Sequence, residues 1–154
     1  MTCFKKSNLT FVVAALIVGA PGLTYAEDLS VSGVTCKPDE LDKSTDLDFH
    51  GTGVFNAGST SRRVWCAVTR MPGDAGETFY ADVNNPSGKK TVCGFVYYDY
   101  TGGGGFSTSQ SISDVGAQYA TFSVPDEQVF HWGFGTIFCD LPPGGTLYGL
   151  NYSS

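Results

Sequence analysis

Four cysteines, Cys36, Cys66, Cys93 and Cys139, follow a secretory leader at spacings of 30, 27 and 46 residues, and that combination constrains the fold more than any other feature. The leader is read from Lys5 and Lys6, an apolar run from Leu9 to Ala20, and the small-x-small exit Thr24-Tyr25-Ala26. An apolar run of about a dozen residues is too short to span a membrane, which takes roughly 20. Cys3 lies upstream of the run, so a lipid-anchored start is not expected. Residues 1–26 are expected to be a signal peptide cleaved after Ala26. Residues 27–154 then form one domain, secreted or periplasmic, with no membrane span. An even cysteine count in an exported chain reads as two disulfides. Three pairings are open to sequence. Cys36–Cys66 with Cys93–Cys139 is favoured, and closing loops of that length contributes roughly 3.5–4 kcal/mol each. No Cys-x-x-Cys pair is present, so neither a metal–thiolate site nor a cofactor is expected.

All 15 acidic residues lie beyond residue 26, but only seven of the nine basic ones, so residues 27–154 carry a formal charge of 7 − 15 = −8. An acidic chain without a basic stripe is not built for nucleic acid or for an anionic membrane. Sixteen per cent of the chain is charged, 14% is aromatic and there are 20 glycines, a mix that suits short strands joined by tight turns.

Period-two alternation bears this out along the chain. Arg63 to Thr69 sets Val64, Cys66 and Val68 on one face and Trp65 on the other. Thr78 to Val83 sets Phe79, Ala81 and Val83 inward, with Tyr80 and Asp82 outward. The turn residues between the two segments predict a hairpin. Thr91–Tyr100 and Val129–Cys139 are apolar on both faces and read as central strands or aromatic platforms. Further strands are expected at Leu29–Cys36, Phe49–Asn56, Tyr119–Val124 and Leu147–Tyr152. The glycines at 102–105 and the polar stretch to Ser113 are expected to be loop. Seven to nine strands without a 3.6-residue stripe predict an all-β fold: a single antiparallel β-sandwich, Greek-key, Ig-like or jelly-roll-like, with a small barrel as the alternative. Val64, Val68, Phe79, Val83, Phe122 and Val124 are the expected core.

Catalytic signatures are few. No Gly-x-Ser-x-Gly elbow accompanies His50 or His131, and a sulfur nucleophile is not expected where every cysteine is paired. Asp39, Glu40, Asp42, Asp46 and Asp48 lack the spacing and glycine of a calcium loop and read as a solvated acidic segment. Gly102–Gly105 lacks the lysine and helix of a phosphate cradle. Surplus aromatic residues offer a better lead, since β-sandwiches hold sugar rings by stacking beside hydrogen-bonding groups. The hairpin brings Trp65 and Tyr80 to one outer face, rimmed by Arg63 and Asp82. These four are the candidate binding residues. The same rings could equally serve as cover for the sheets.

Asn56 after a strand, Val64-Trp65-Cys66, Thr91-Val92-Cys93 and Phe138-Cys139-Asp140-Leu141-Pro142-Pro143 resemble a set of small exported bacterial proteins of unknown function. The resemblance implies a disulfide-bonded β-domain and carries no catalytic residues. The expected function is an exported non-catalytic binding or envelope-associated module with a glycan or protein surface as partner. The alternatives are a small exported hydrolase using His131 with a nearby aspartate, and an acidic inhibitor of a secreted enzyme.

Overall fold

The computed structural model describes residues 29–68, 78–99, 101, 105–125 and 133–153. The expected signal peptide, the 69–77 connection, Gly102–Gly104, and His131 with Trp132 lie outside them. Eleven strands are present among the described residues: β1 Leu29–Ser32, β2 Lys37–Pro38, β3 Leu47–His50, β4 Gly53–Asn56, β5 Arg62–Ala67, β6 Thr78–Asn85, β7 Thr91–Tyr98, β8 Gly105–Ile112, β9 Gly116–Ser123, β10 Phe134–Leu141 and β11 Thr146–Ser153. Two short 3-10 turns, at Gly33–Thr35 and Leu41–Asp46, are the helical elements described. One sheet runs β3-β4-β11-β6-β9, with β1 alongside β4 on the edge of β11; the other runs β2-β5-β10-β7-β8.

Strands β4 to β11 form nested antiparallel pairs. Innermost is the β7–β8 pair, then β6 with β9, β5 with β10, and β4 with β11. Successive pairs fall in alternate sheets, as if one long hairpin had been rolled up. That is the jelly-roll form of the Greek-key sandwich. It settles the choice among the sandwich types that sequence left open.

Rolling the hairpin corrects one expectation outright. β5 pairs with β10 and β2, and β6 pairs with β11 and β9, so the two are not a hairpin and belong to different sheets. Alternation fixes which face of a strand is buried but says nothing about its neighbour. Residues 106–112 are a second correction, being strand β8 where loop was expected. β8 is an edge strand, so it can satisfy one ladder while most of its side chains stay polar.

The sheets meet through aromatic rings. Phe95 of β7 stacks on Phe79 of β6 at 5.1 Å and on Phe122 of β9 at 6.2 Å, while Phe79 meets Tyr152 at 5.2 Å. Val64, Phe79, Val83, Phe122 and Val124 are buried as expected. Val68 is only partly buried, packing against the rim of the core. Both disulfides link neighbouring strands of the five-stranded sheet: Cys36 to Cys66 across β2–β5, and Cys93 to Cys139 across β7–β10. Their Cα separations, 4.3 and 4.0 Å, are those of directly opposed residues that share no ladder hydrogen bonds.

Between β4 and β11 four connections change sheets at one end of the sandwich, and two buried asparagines hold them. Asn56 donates to the carbonyls of Thr60 (2.9 Å) and Leu141 (2.8 Å) and accepts from the Gly58 N–H (2.9 Å). Asn85 donates to the carbonyl of Ile112 (2.9 Å) and accepts from the Thr91 hydroxyl (2.6 Å). Truncating either leaves buried backbone groups unpaired. Asn56→Ala and Asn85→Ala should each lower unfolding free energy by about 2–4 kcal/mol, read from urea midpoints at unchanged slope. A loss below about 1 kcal/mol would show that other groups close these crossings.

Candidate functional site

The four candidate binding residues separate into two pairs on opposite outer faces. Arg63 and Trp65 lie on the five-stranded sheet, and Tyr80 and Asp82 on the six-stranded one.

The Arg63–Trp65 face is internally satisfied. Gly94 leaves a space on the outer side of β7 that the Phe138 ring fills, since a Cβ there would sit 2.3 Å from the ring. Arg63 lies over Phe138 at 4.3 Å and is held by two parallel hydrogen bonds of 2.7 Å to the Asp140 carboxylate. Hydrogen bonding to Asp140 keeps the guanidinium pKa above its ordinary value, with burial acting against it. Trp65 contacts Phe138 at 5.1 Å and donates its indole N–H to Asp39 at 2.7 Å. A shallow groove of about 220 Å³ beside this cluster is lined by Pro38, Asp39, Glu40, Leu47 and the two arginines. Arg62 is committed to Asp46 as Arg63 is to Asp140. The bidentate geometry that makes such pairs strong also leaves them little to offer a ligand.

The outer face of the six-stranded sheet is different. Register sets Ser30, Asn151, Tyr80 and Thr121 in one row across β1, β11, β6 and β9, and Ser32, Gly149, Asp82 and Tyr119 in the next. Tyr80 and Tyr119 meet edge to face at 5.8 Å. A β-bulge between Leu147 and Gly149 brings Tyr148 to the surface, where Asn84 donates to its hydroxyl at 3.2 Å. Tyr119 and Tyr148 are 61% and 39% exposed, enough to present ring faces to a ligand. Between them lies a groove of about 290 Å³ lined by Asp82, Val83, Ala117, Gln118 and the two rings.

Two small residues open this groove. Ala117 sits opposite Asn84 and leaves the space between the rings unfilled. Gly149 sits opposite Asp82 because β1 approaches so closely that a Cβ would lie 2.5 Å from the Val31 carbonyl oxygen. One flank of Asp82 is bare as a result. Its carboxylate is aimed by a chain of hydrogen bonds: Ser30 donates to Asn151 at 2.5 Å, and the Asn151 amide donates to Asp82. Burial pushes the Asp82 carboxyl above its ordinary pKa, and the hydrogen bond from Asn151 pulls it partly back.

Sequence reasoning named Tyr80 and Asp82 but missed Tyr119, Tyr148, Asn84 and Asn151. Tyr119 was within reach, since placing Ala120, Phe122 and Val124 inward turns it outward. Tyr148 was not, because the bulge breaks the alternation that would have located it. Of the two histidines, His50 is exposed on β3 and His131 lies outside the described residues. No group of three histidine, cysteine or acidic side chains among the described residues could hold a metal ion. None of the helices there is long and apolar enough to cross a membrane.

The sandwich is shared with a carbohydrate-binding module. That structure, "xylan-binding module CBM15", superposes with a TM-score of 0.58 over 83% of this chain and 96% of its own, at 9% identity. A second, TmCBM61 in complex with β-1,4-galactotriose, covers 84% of this chain and 88% of its own at 12% identity, with a TM-score of 0.44. No family model matches the sequence, and no curated protein matches it at a significant level. At 9% identity the feature held in common is the fold.

Asp82 also sets a pH dependence. Because its folded-state pKa is raised, its contribution to stability is present in full below the unfolded-state value and is lost as pH rises through the folded-state value. Asp82→Asn keeps an acceptor for Asn151 and removes the charge. The melting temperature of this variant relative to wild type should rise steadily between about pH 3 and pH 7. A difference that stays flat, or falls, would mean that ionised Asp82 stabilises the fold.

Proposed function

We propose that this protein is an exported, non-catalytic glycan-binding module whose ligand lies on the outer face of the six-stranded sheet. One observation carries the reading: Tyr119 and Tyr148 flank an open groove lined by Asp82 and Gln118 as its polar residues, a combination suited to hydroxyl-rich ligands. Sugar rings present C–H faces that stack on aromatic rings and hydroxyls that need fixed acceptors and donors, and the groove supplies both. Tyr119 and Tyr148 stand on strands either side of β6, so roughly 10 Å of sheet separates them, a length that a disaccharide bridges. The Trp65 face fits this role less well, because its guanidiniums and its indole N–H already have protein partners.

The paired cysteines accord with export, since disulfides persist in oxidising compartments. The shared fold with a xylan-binding module makes xylan the first ligand to try, within a panel of xylan, β-glucan, mannan and galactan.

Affinity electrophoresis in gels containing each polysaccharide tests the proposal. Retardation by at least one is expected, with Tyr119→Ala and Tyr148→Ala each weakening it about tenfold. Both rings are exposed, so these variants should keep wild-type stability within about 0.5 kcal/mol. Trp65→Ala should leave binding intact. Binding that is lost with Trp65 and kept without the tyrosines would move recognition to the opposite face.

A further inference from the structure

β1, β6, β9 and β11 together contain a single charged residue, Asp82. Every other outward position on these strands is a hydroxyl, an amide, an aromatic ring or a small apolar residue. Asp82 lies on the wall of the groove between Tyr119 and Tyr148. Its hydrogen-bond partner Asn151 is neutral, and so is Ser30 behind Asn151. The contrast with the opposite face is plain, because Asp140 is neutralised there by Arg63.

An uncompensated carboxylate in a partly desolvated groove acts on ligands in two opposite ways. It accepts a hydrogen bond from a sugar hydroxyl, and a charged acceptor makes that bond stronger than a neutral one would. It also repels a carboxylate or sulfate held nearby, with an energy that grows as water is excluded. Discrimination by an introduced repulsion is a general route to specificity. We infer that Asp82 restricts this face to neutral glycans, accepting their hydroxyls and rejecting chains that carry uronic acid or sulfate groups. The inference rests on the glycan-binding reading and adds the class of glycan. Asp82 is thereby a specificity residue, and the tyrosines supply affinity without regard to charge.

The experiment needs two polymers that differ in charge alone: native glucuronoxylan, and the same glucuronoxylan with its carboxyl groups reduced to alcohols. Wild type should bind the reduced polymer at least about tenfold more tightly than the native one, and the gap should shrink as salt is raised. Asp82→Asn should bring the two affinities within about twofold of each other, chiefly by improving binding to the native polymer. Equal affinity of wild type for both polymers overturns the inference and leaves the binding face standing. So does a gap that survives in Asp82→Asn. Failure to bind either polymer while another polysaccharide of the panel still binds overturns the inference, and failure to bind any of them overturns it together with the reading on which it rests.

Discussion

Backbone groups that leave one sheet and have not yet joined the other are the constraint on which the fold depends. From β4 to β11, the chain of this jelly roll crosses between sheets at one end of the sandwich at 56–62, 85–91, 112–116 and 141–146. Each crossing strips amides and carbonyls of their ladder partners at the edge of an apolar core, where an unpaired group is costly. Asn56 and Asn85 are the last residues of β4 and β6, the strands whose ends start the 56–62 and 85–91 crossings from the six-stranded to the five-stranded sheet. Each donates from its side-chain amide to a carbonyl at a different crossing, Asn56 to Leu141 and Asn85 to Ile112. Asn56 also binds through its main chain, accepting from Gly144 and donating to Gly145. The four crossings are therefore joined in pairs, the first to the fourth and the second to the third.

The two sheets divide the remaining work. The five-stranded sheet holds both disulfides, and its outer face is closed by the Arg63–Phe138–Asp140 cluster. The six-stranded sheet has no covalent staple among its described strands and is held by its ladders and by aromatic rings facing Phe95. Its outer face carries no ion pair among the described residues of β1, β6, β9 and β11, and there Tyr119, Tyr148 and Asp82 stand exposed or half exposed. A rigid, cross-linked layer beneath supports a layer whose outer surface is open to change.

Much of this was legible from residue patterns, and the remainder has physical reasons for being hidden. The inward sets Val64 and Cys66, and Phe79, Ala81 and Val83, follow directly from alternation, because a strand buried on one side has no other period. The favoured cysteine pairing is the one found. What alternation cannot carry is partner choice. The short separation of β5 and β6 suggested a hairpin, yet the chain uses that connection to pass between sheets, and the proposed Trp65–Tyr80 surface does not exist. β8 was hidden because an edge strand needs few apolar residues. Tyr148 was hidden because a bulge resets the register at Gly149.

The order of the cysteines has a consequence for how the chain matures. The two bonds are sequential along the chain, one closed before the other begins. A polypeptide meeting an oxidant from its N-terminus onward presents Cys36 and then Cys66, which are native partners, before Cys93 has emerged. Cys93 then waits 46 residues for Cys139, with Cys36 and Cys66 already bonded to each other. Pairing in order of appearance thus yields the native set without any exchange between cysteines, even though the strands that the second bond joins complete their sheet only when nearly the whole chain is present.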